Sequence, residues 1–156
     1  MHIEIIDFPE TLVAAIEHRG APDSEHESVR RLIAWRIEHG YPPARHRTFG
    51  IHFDDPLTTS PELYRADFCI SVEQEIAPNS HGVVNKMIPG GRCAKLRHFG
   101  ARENIQAARY LVETWLPQSG EALRGFPLIF HYVNVGPDIS EEDFVTDLYL
   151  PTRVQF

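Results

Sequence analysis

Two short apolar segments in the second half of the chain carry the side chains with the clearest chemical potential. Residues 126–134, Phe-Pro-Leu-Ile-Phe-His-Tyr-Val-Asn, and 144–151, Phe-Val-Thr-Asp-Leu-Tyr-Leu-Pro, predict strands because they are rich in β-branched and aromatic residues. Side chains alternate along a strand, so Asp147 and Tyr149 share one face and Leu148 lies on the other. A carboxylate beside a tyrosine is unusual for a core and fits the wall of a binding cleft.

Asp147 has two readings that the sequence leaves open. It either pairs with Arg97 or another strand cation, in a salt bridge worth about 0–1 kcal/mol when exposed, or it is a desolvated carboxylate that meets a cationic ligand. Tyr132 and Tyr149 are likewise either half-buried sheet aromatics or ring surfaces for a ligand. His131 lies beside Tyr132 and is a further candidate for ligand contact.

Other reactive residue types lie outside these two segments. His52, in a predicted strand of the first half, is also a candidate for ligand contact. Cys69 and Cys93 fit small core or cleft positions, and a thiol nucleophile at Cys69 beside His52 is the alternative. Residues 88–92, Ile-Pro-Gly-Gly-Arg, predict a hairpin turn.

Metal and cofactor motifs are not found in the sequence. The nine histidines include no His-x-x-x-His pair and no Cys/His cluster with zinc spacing. There is also no Gly-x-Ser-x-Gly elbow, no phosphate loop and no dinucleotide fingerprint. We therefore expect no metal site and no cofactor.

Composition narrows the function class. A length of 156 residues allows one or two domains with a proper core. The formal charge of −7 without a Lys/Arg run argues against direct nucleic-acid binding. Two cysteines, no signal-peptide pattern and no apolar run near the roughly 20 residues of a membrane span predict a soluble cytoplasmic protein without membrane contact.

The elements that must position these residues recur in the same order in both halves. A capping box, Ser24-Glu-His-Glu27, begins a helix that ends at Gly40, with Val29, Leu32, Ile33 and Ile37 as its apolar stripe. The second helix is predicted over residues 103–116 and ends at Pro117. Strands are predicted at residues 3–6, 12–18, 48–53, 66–72, 83–88, 92–98, 126–134 and 144–151.

The second half repeats the first at a constant offset of 80 residues without gaps. Strand ends, helix stops and apolar positions coincide, which favours a structural duplication over residues 1–75 and 81–156. The matched residues are Pro9 and Pro89, His18 and His98, Gly20 and Gly100, Trp35 and Trp115, Gly40 and Gly120, and Asp67 and Asp147.

This order predicts an α+β fold of two ββαββ halves related by a pseudo-twofold axis, within one domain spanning residues 1–156. The antiparallel-rich sheet has both helices on one face and a ligand groove on the other. Phe68 should face the helices, and Asp67 and Cys69 the groove, as Asp147 does. In the third strands, His52, Phe130 and Tyr132 are assigned to the groove side and His131 to the helix side. A histidine on the helix side either lies near a sheet end with a hydrogen-bond partner, or the register is shifted by one residue there.

Several pieces in this order and spacing resemble one family. They are Phe49-Gly-Ile-His-Phe-Asp-Asp-Pro56, Tyr64-Arg-Ala-Asp-Phe-Cys69, Ile88-Pro-Gly-Gly-Arg-Cys-Ala94, Arg97-His-Phe-Gly100, Trp115-Leu-Pro117, Phe130-His-Tyr-Val-Asn-Val-Gly-Pro137 and Thr146-Asp-Leu-Tyr-Leu-Pro151. Over essentially its whole length, the chain resembles the GyrI-like (gyrase-inhibitor-like) small-molecule-binding domain. The same domain forms the effector-binding part of some AraC-type and MerR-type transcription regulators, and this chain resembles a stand-alone version.

The resemblance implies a ligand cleft between the two halves, often for aromatic or cationic compounds in multidrug-binding members. A pocket glutamate commonly lies on the strand opened by Pro127, and Phe130 holds its place here, so selection for organic cations is expected to be weak. The family's aromatic clefts add Phe99 and Trp115 to the candidates. The full ligand-binding set is His52, Phe99, Trp115, Phe130, His131, Tyr132, Asp147 and Tyr149.

Three functions follow as hypotheses. The first is a receptor or sequestering protein for a small, largely apolar or aromatic molecule. The second is a hydrolase of a reactive xenobiotic in the same cleft, with Asp147 or His52 as base. The third, implied by the family name, is a protein that interacts with DNA gyrase and modulates it.

Overall fold

The chain folds into two sheet-and-helix units whose boundaries cut across the sequence repeat. The computed structural model describes residues 2–102 and 106–155. The central unit comprises residues 11–88, and the terminal unit comprises residues 1–10 together with 89–156. Within each unit the strand pairings are antiparallel, and a helix packs against the sheet. The predicted α+β class is confirmed.

The strands lie close to their predicted positions, with ends shifted by a few residues. The elements of the central unit are β2 (Thr11–Arg19), α1 (Glu25–His39), β3 (Thr48–His52), β4 (Arg65–Ser71) and β5 (Val84–Ile88). Those of the terminal unit are β1 (Ile3–Phe8), β6 (Gly91–Phe99), α2 (Gln106–Arg109), β7 (Glu121–Leu123), β8 (Ile129–Tyr132) and β9 (Val145–Val154). The central sheet has the order β3-β4-β2-β5, and the terminal sheet β1-β6-β9-β8, with the unpredicted β7 pairing with β9.

Strands β1 and β5 are exchanged between the two halves of the sequence. β1 pairs with β6, where Ile3 lies opposite Leu96, and β5 pairs with β2, where Val84 lies opposite Ala15. The predicted hairpin at residues 88–92 is therefore wrong, because the two strands that it joins belong to different units.

Helix α1 packs on the central sheet through a narrower stripe than the sequence predicted. Leu32 and Trp35 are 4% and 2% exposed, and both lie in the core with strand residues such as Ile16 and Ile70. Ile33 and Ile37 are 45% and 75% exposed, so their assignment to the buried stripe is wrong.

The two ends of α1 were predicted with different success. Gly40 ends the helix with a left-handed φ of 76°, as expected for a glycine C-cap. At the other end, Ser24 Oγ donates to the carbonyl oxygen of Ala21 at 2.9 Å and makes no capping hydrogen bond to the helix. The predicted capping box is wrong, because a 3-10 turn over Pro22–Ser24 leads into the helix instead.

The second helix is irregular. One α-helical turn, Gln106–Arg109, is followed by a π-helical stretch over Tyr110–Trp115 and a 3-10 turn over Leu116–Gln118. The start of the predicted helix, residues 103–105, lies outside the described residues. Among the described residues, no helix combines the length and apolar character needed to cross a membrane.

The register of the terminal sheet decides which predicted site residues share a face, since cross-strand partners lie side by side. Phe130 lies opposite Leu148, and His131 lies opposite Asp147. Leu148 belongs to the core beneath the second helix, so Phe130 and Tyr132 face the helix while His131 and Asp147 face away. The predicted placement of Phe130 and Tyr132 beside Asp147 is wrong, and the alternative register, shifted by one residue, is confirmed.

The central sheet shows the same shift. His52 lies opposite Ala66, which belongs to the core beneath α1, so His52 faces the helix rather than the other face. The predictions for β4 are confirmed: Phe68 packs in the helix-side core, and Asp67 and Cys69 lie on the other face.

Candidate functional site

Asp147 lies on the helix-free face of the terminal sheet and is paired with cationic side chains. It is 2% exposed. Arg97 Nε and Nη2 donate to its two carboxylate oxygens at 2.8 and 3.0 Å, and Lys95 Nζ is 3.8 Å away. The hydrogen bonds to Asp147 are the main cause of a raised pKa of Arg97. Of the two interpretations of Asp147, the structure therefore shows the first, a salt bridge with Arg97.

Tyr149 shares this face with Asp147. Its ring meets Phe8 edge-on, with 5.0 Å between ring centroids, and Lys95 lies opposite it on β6. His131 belongs to the same face through its pairing with Asp147. Phe99, at the end of β6, is 68% exposed.

A second set of predicted residues lies on the helix side of the terminal sheet. Trp115 and Phe130 are partly buried and pack against the core that contains Leu96 and Leu148. Tyr132 follows Phe130 on the same face by strand alternation. The eight predicted residues thus divide into helix-side aromatics of the terminal unit, mostly polar residues on its opposite face, and His52 in the central unit.

The loop after β6 places a cation against the helix-side aromatics. The guanidinium carbon of Arg102 lies 5.3 Å from the ring centroid of Tyr132 and 3.9 Å from that of Phe144. Arg102 Nη2 donates to the carbonyl oxygen of Asn134 at 2.6 Å. Within the described part of the chain, Arg102 Nε and Thr146 Oγ1 are buried side-chain atoms without a hydrogen-bond partner. Burial lowers the pKa of Arg102.

His52 belongs to a hydrogen-bonded chain between β3 and the first turn of α1. Tyr64 O–H donates to Glu25 Oε2 at 3.0 Å, and His52 Nδ1 lies 2.7 Å from the same tyrosine oxygen. If the tyrosine proton points to Glu25, the histidine proton must lie on Nδ1 for both contacts to be hydrogen bonds. This tautomer leaves the Nε2 atom of His52 as the basic nitrogen.

Burial shifts two groups of this chain toward their neutral forms. It lowers the pKa of His52 to about 4. It also raises the pKa of Glu25, against a smaller opposing effect of the hydrogen bond from Tyr64. Perturbed acid–base pairs are common at functional sites and also occur in purely structural networks.

Arg102, Thr146, Glu25 and Tyr64 were not among the predicted site residues. Glu25 and Tyr64 are far apart in sequence, and their meeting at His52 depends on the fold of the central unit. An arginine in a Gly-Ala-Arg-Glu segment gives no sign that it lies against two aromatic rings. The sequence signal that was available is the position of Thr146 beside Asp147 in the final strand.

Two further features of the central unit contain no predicted site residue. Atoms of Glu38, His39 and His81 that can bind metals lie within 4.8 Å of one another, but Glu38 and His39 are exposed, and exposed groups of this kind are common without an ion. Elsewhere an open depression of about 310 Å³ is lined by Gly40, Tyr41, Arg45, His46, Glu73 and Gln74.

Comparison with known proteins places the chain among small-molecule-binding domains. The family profile described as GyrI-like small molecule binding domain matches residues 1–153. A "Probable transcriptional regulator YgiV" from Escherichia coli (strain K12) is 41% identical over 153 residues, which cover 97% of this chain and 96% of the relative. A "DNA gyrase inhibitor" from Erwinia billingiae (strain Eb661) is 26% identical over 155 residues, covering 97% of each chain.

Solved structures show the same fold at low sequence identity. The crystal structure of the EcmrR C-terminal domain has a TM-score of 0.74 and 15% identity, and the match covers 98% of both chains. The structure of SAV2435 bound to tetraphenylphosphonium has a TM-score of 0.56 and 11% identity, covering 98% of this chain and 94% of the other.

Proposed function

Since the chain belongs to the GyrI-like small-molecule-binding family, we propose that it is a receptor or sequestering protein for a small, largely apolar or aromatic molecule. In this proposal it acts in the way that the effector domains of transcription regulators do. The resemblance to a relative described as a probable transcriptional regulator supports this role.

One observation carries the proposal. Trp115, Phe130 and Tyr132 present aromatic surface on the helix side of the terminal sheet, and two buried polar atoms beside them have no partner among the described residues. Ligand sites combine apolar walls with a few convergent polar groups. Trp115 ends a π-helical stretch, a feature that is frequent at functional sites. We therefore place the ligand against these aromatics.

The polar residues of the opposite face are a less favourable location for the ligand. Asp147 already forms an ion pair with Arg97, so a cationic ligand would have to displace that guanidinium. His131 and Tyr149 lie on the same face as Asp147, and Phe99 lies at its exposed edge. We keep these four residues as the competing location for the ligand.

A thermal-shift screen of aromatic and apolar compounds tests the proposal and distinguishes the two faces. A ligand at 100 times its dissociation constant adds about 2.7 kcal/mol of stability. We expect hits that weaken in Trp115→Ala and Tyr132→Ala and persist in Tyr149→Ala, the matched control on the other face. Hits lost only in Tyr149→Ala would move the site to the face of Asp147, and a screen without hits would count against the receptor function.

A hydrolase is the second candidate, because His52 is held neutral within hydrogen-bonding distance of Tyr64. In this mechanism Nε2 of His52 takes a proton from water, while the hydrogen-bonded chain of Tyr64 and Glu25 orients the imidazole ring. Asp147, the other base considered, is the weaker candidate, because both of its carboxylate oxygens accept hydrogen bonds from Arg97. Turnover that is lost in His52→Gln while ligand binding persists would support the enzyme; turnover that survives the change would refute this assignment.

A gyrase-modulating role is the third candidate, supported by the resemblance to a relative described as a DNA gyrase inhibitor. The acidic net charge of −7 is compatible with binding a basic surface. A supercoiling assay with purified gyrase decides it: a dose-dependent loss of supercoiling activity supports the role, and an unchanged rate at high excess of this protein contradicts it.

A further inference from the structure

We infer that the ligand carries an anionic group, such as a carboxylate, which is held by Arg102 while the aromatic part lies against Phe130 and Tyr132. This inference rests on the proposed receptor function and adds the ligand's charge to it. It depends on the position of Arg102 and on the lack, among the described residues, of a carboxylate that would neutralise its charge.

Arg102 is a half-buried cation without a carboxylate partner among the described residues. Its guanidinium lies over the rings of Phe144 and Tyr132, and its Nη2 atom donates to the carbonyl oxygen of Asn134. Nε is buried and unpaired within residues 2–102 and 106–155. A buried charge is costly unless it is paired or fully hydrogen-bonded, so this arrangement leaves a donor for an incoming acceptor.

Other arginines show how the charges of such side chains are paired or hydrogen-bonded elsewhere in this protein. Arg92 donates twice to Glu121, and Arg97 donates twice to Asp147. Arg36 is buried and has no carboxylate partner among the described residues, but its Nε, Nη1 and Nη2 donate to the carbonyl oxygen of Tyr41, to Thr48 Oγ1 and to the carbonyl oxygen of His46, respectively. Arg102 differs from both types, because the described part of the chain gives it neither a carboxylate nor a full set of acceptors.

A second unpaired polar atom lies on the same face. Thr146 is directly opposite Tyr132 in the β8–β9 pairing, and its Oγ1 atom is buried without a partner among the described residues. A hydroxyl can donate to a carboxylate oxygen. Arg102, whose guanidinium lies over the Tyr132 ring, and Thr146, which pairs with Tyr132 on β9, therefore offer two donors next to the same aromatic residue, which suits an acidic group on an aromatic ligand.

The same site gives a cation little stabilisation. Phe130 stands where the family's pocket glutamate is expected, and Asp147 lies on the other face in its pair with Arg97. A ligand ammonium beside Tyr132 would meet the like charge of Arg102. The geometry therefore selects against organic cations and in favour of aromatic acids.

Three matched probes test the inference by titration calorimetry: 2-naphthoate, 2-naphthamide and 2-naphthylmethylammonium. Hydrogen bonds to charged groups are stronger than those between neutral groups, so we expect the naphthoate to bind wild type at least about tenfold more tightly than the amide, and the ammonium most weakly. Arg102→Gln should remove the preference of naphthoate over naphthamide, and Thr146→Val should reduce it. Arg153→Gln, an exposed arginine of the same unit, should leave it unchanged.

Equal or tighter binding of the amide or the ammonium by wild type would overturn the inference while leaving the receptor function in place. An undiminished naphthoate preference in Arg102→Gln would also overturn it. If none of the three probes binds, the inference fails, and hits in the broader thermal-shift screen then decide whether the receptor function survives. Thermal unfolding of each variant verifies that it is folded, and Arg102→Lys, which keeps the charge, should retain part of the preference.

Discussion

Arg97 and Asp147 lie directly opposite each other on β6 and β9 and form a two-point hydrogen-bonded pair, at 2.8 and 3.0 Å, around a carboxylate that is 2% exposed. Removing Arg97 leaves this carboxylate without its main partner. Because Arg97 is itself partly exposed and Lys95 is near, we expect Arg97→Gln to lower the free energy of unfolding by about 2–3 kcal/mol, measured by urea denaturation. The double variant Arg97→Gln/Asp147→Asn should be less destabilised than the sum of the single variants; strict additivity would contradict the coupling.

The low pKa of His52 makes stability depend on pH in a defined direction. The unfolded chain protonates this ring near pH 6.5, whereas the folded pKa is about 4. Between these values the unfolded state binds more protons, so stability should fall as the pH is lowered from 6.5 to 4. Glu25, whose pKa is raised, acts in the opposite sense just above pH 4.5. His52→Gln should make the fall less steep in urea denaturation series, and the exposed His26→Gln should not. An NMR titration that puts the His52 ring near pH 6.5 would refute the prediction.

The narrow buried stripe of α1 gives a matched pair of substitutions. Leu32→Ala opens a hole in the core between helix and sheet and should cost about 2–5 kcal/mol. Ile37→Ala, five residues onward at a position that is 75% exposed, should change stability by less than about 0.5 kcal/mol. Denaturant midpoints of the two variants test this, and similar losses for both would restore the stripe predicted from sequence.

Gly90 has no space for a side chain. A Cβ atom there would lie 2.6 Å from the backbone nitrogen of Glu10 and 2.8 Å from the carbonyl oxygen of Phe8, so the backbone itself must move. We expect Gly90→Ala to destabilise by about 1–3 kcal/mol or more through overpacking. Gly40→Ala is the control for strain without a clash: nothing lies within 4 Å, and the left-handed φ of 76° alone should cost about 1–2 kcal/mol. A neutral Gly90→Ala would show that the two strand ends separate easily.

The thiol of Cys69 should be inert in the folded protein. Burial raises its pKa far above the ordinary range, and Cys93 is buried as well with a raised pKa. The thiolate is the reactive form, so Ellman's reagent should modify neither cysteine before unfolding and both in 6 M guanidinium (about two equivalents per chain). Rapid modification of Cys69 in the native protein would revive the nucleophile alternative.

Element order and approximate ends were accessible from the sequence because β-branched runs, helix stops and turn residues are local signals. The faces of β4 and β9 were also predicted correctly, since Phe68 and Leu148 alternate cleanly with Asp67 and Asp147. The faces of β3 and β8 were not. Alternation indicates the core only where the other face is solvated, yet Phe49 and Ile51 are buried on the helix-free side of β3, so apolar residues there did not mark the helix side.

The candidate site was accessible in part. Aromatic residues at positions 115, 130 and 132 were identified, but their separation from Asp147 follows from a one-residue register shift that the sequence left open. Arg102 was missed because it is a candidate only through the carboxylate partner that it lacks among residues 2–102 and 106–155, and partners are a property of the fold. The chain His52–Tyr64–Glu25 was missed for the same reason, since it joins three elements of the central unit.

The exchange of β1 and β5 makes each sequence half dependent on the other for the completion of a sheet. A fragment that stopped before Val84 would expose the edge of β2 that β5 covers, and a fragment that began at Val84 would expose the edge of β6 that β1 covers. Bare strand edges are templates for pairing with other chains. Two such fragments are consequently donors and acceptors for each other, so a chain cut in the loop before β5 should reassemble from its pieces, whereas either piece alone should aggregate or form mixed oligomers.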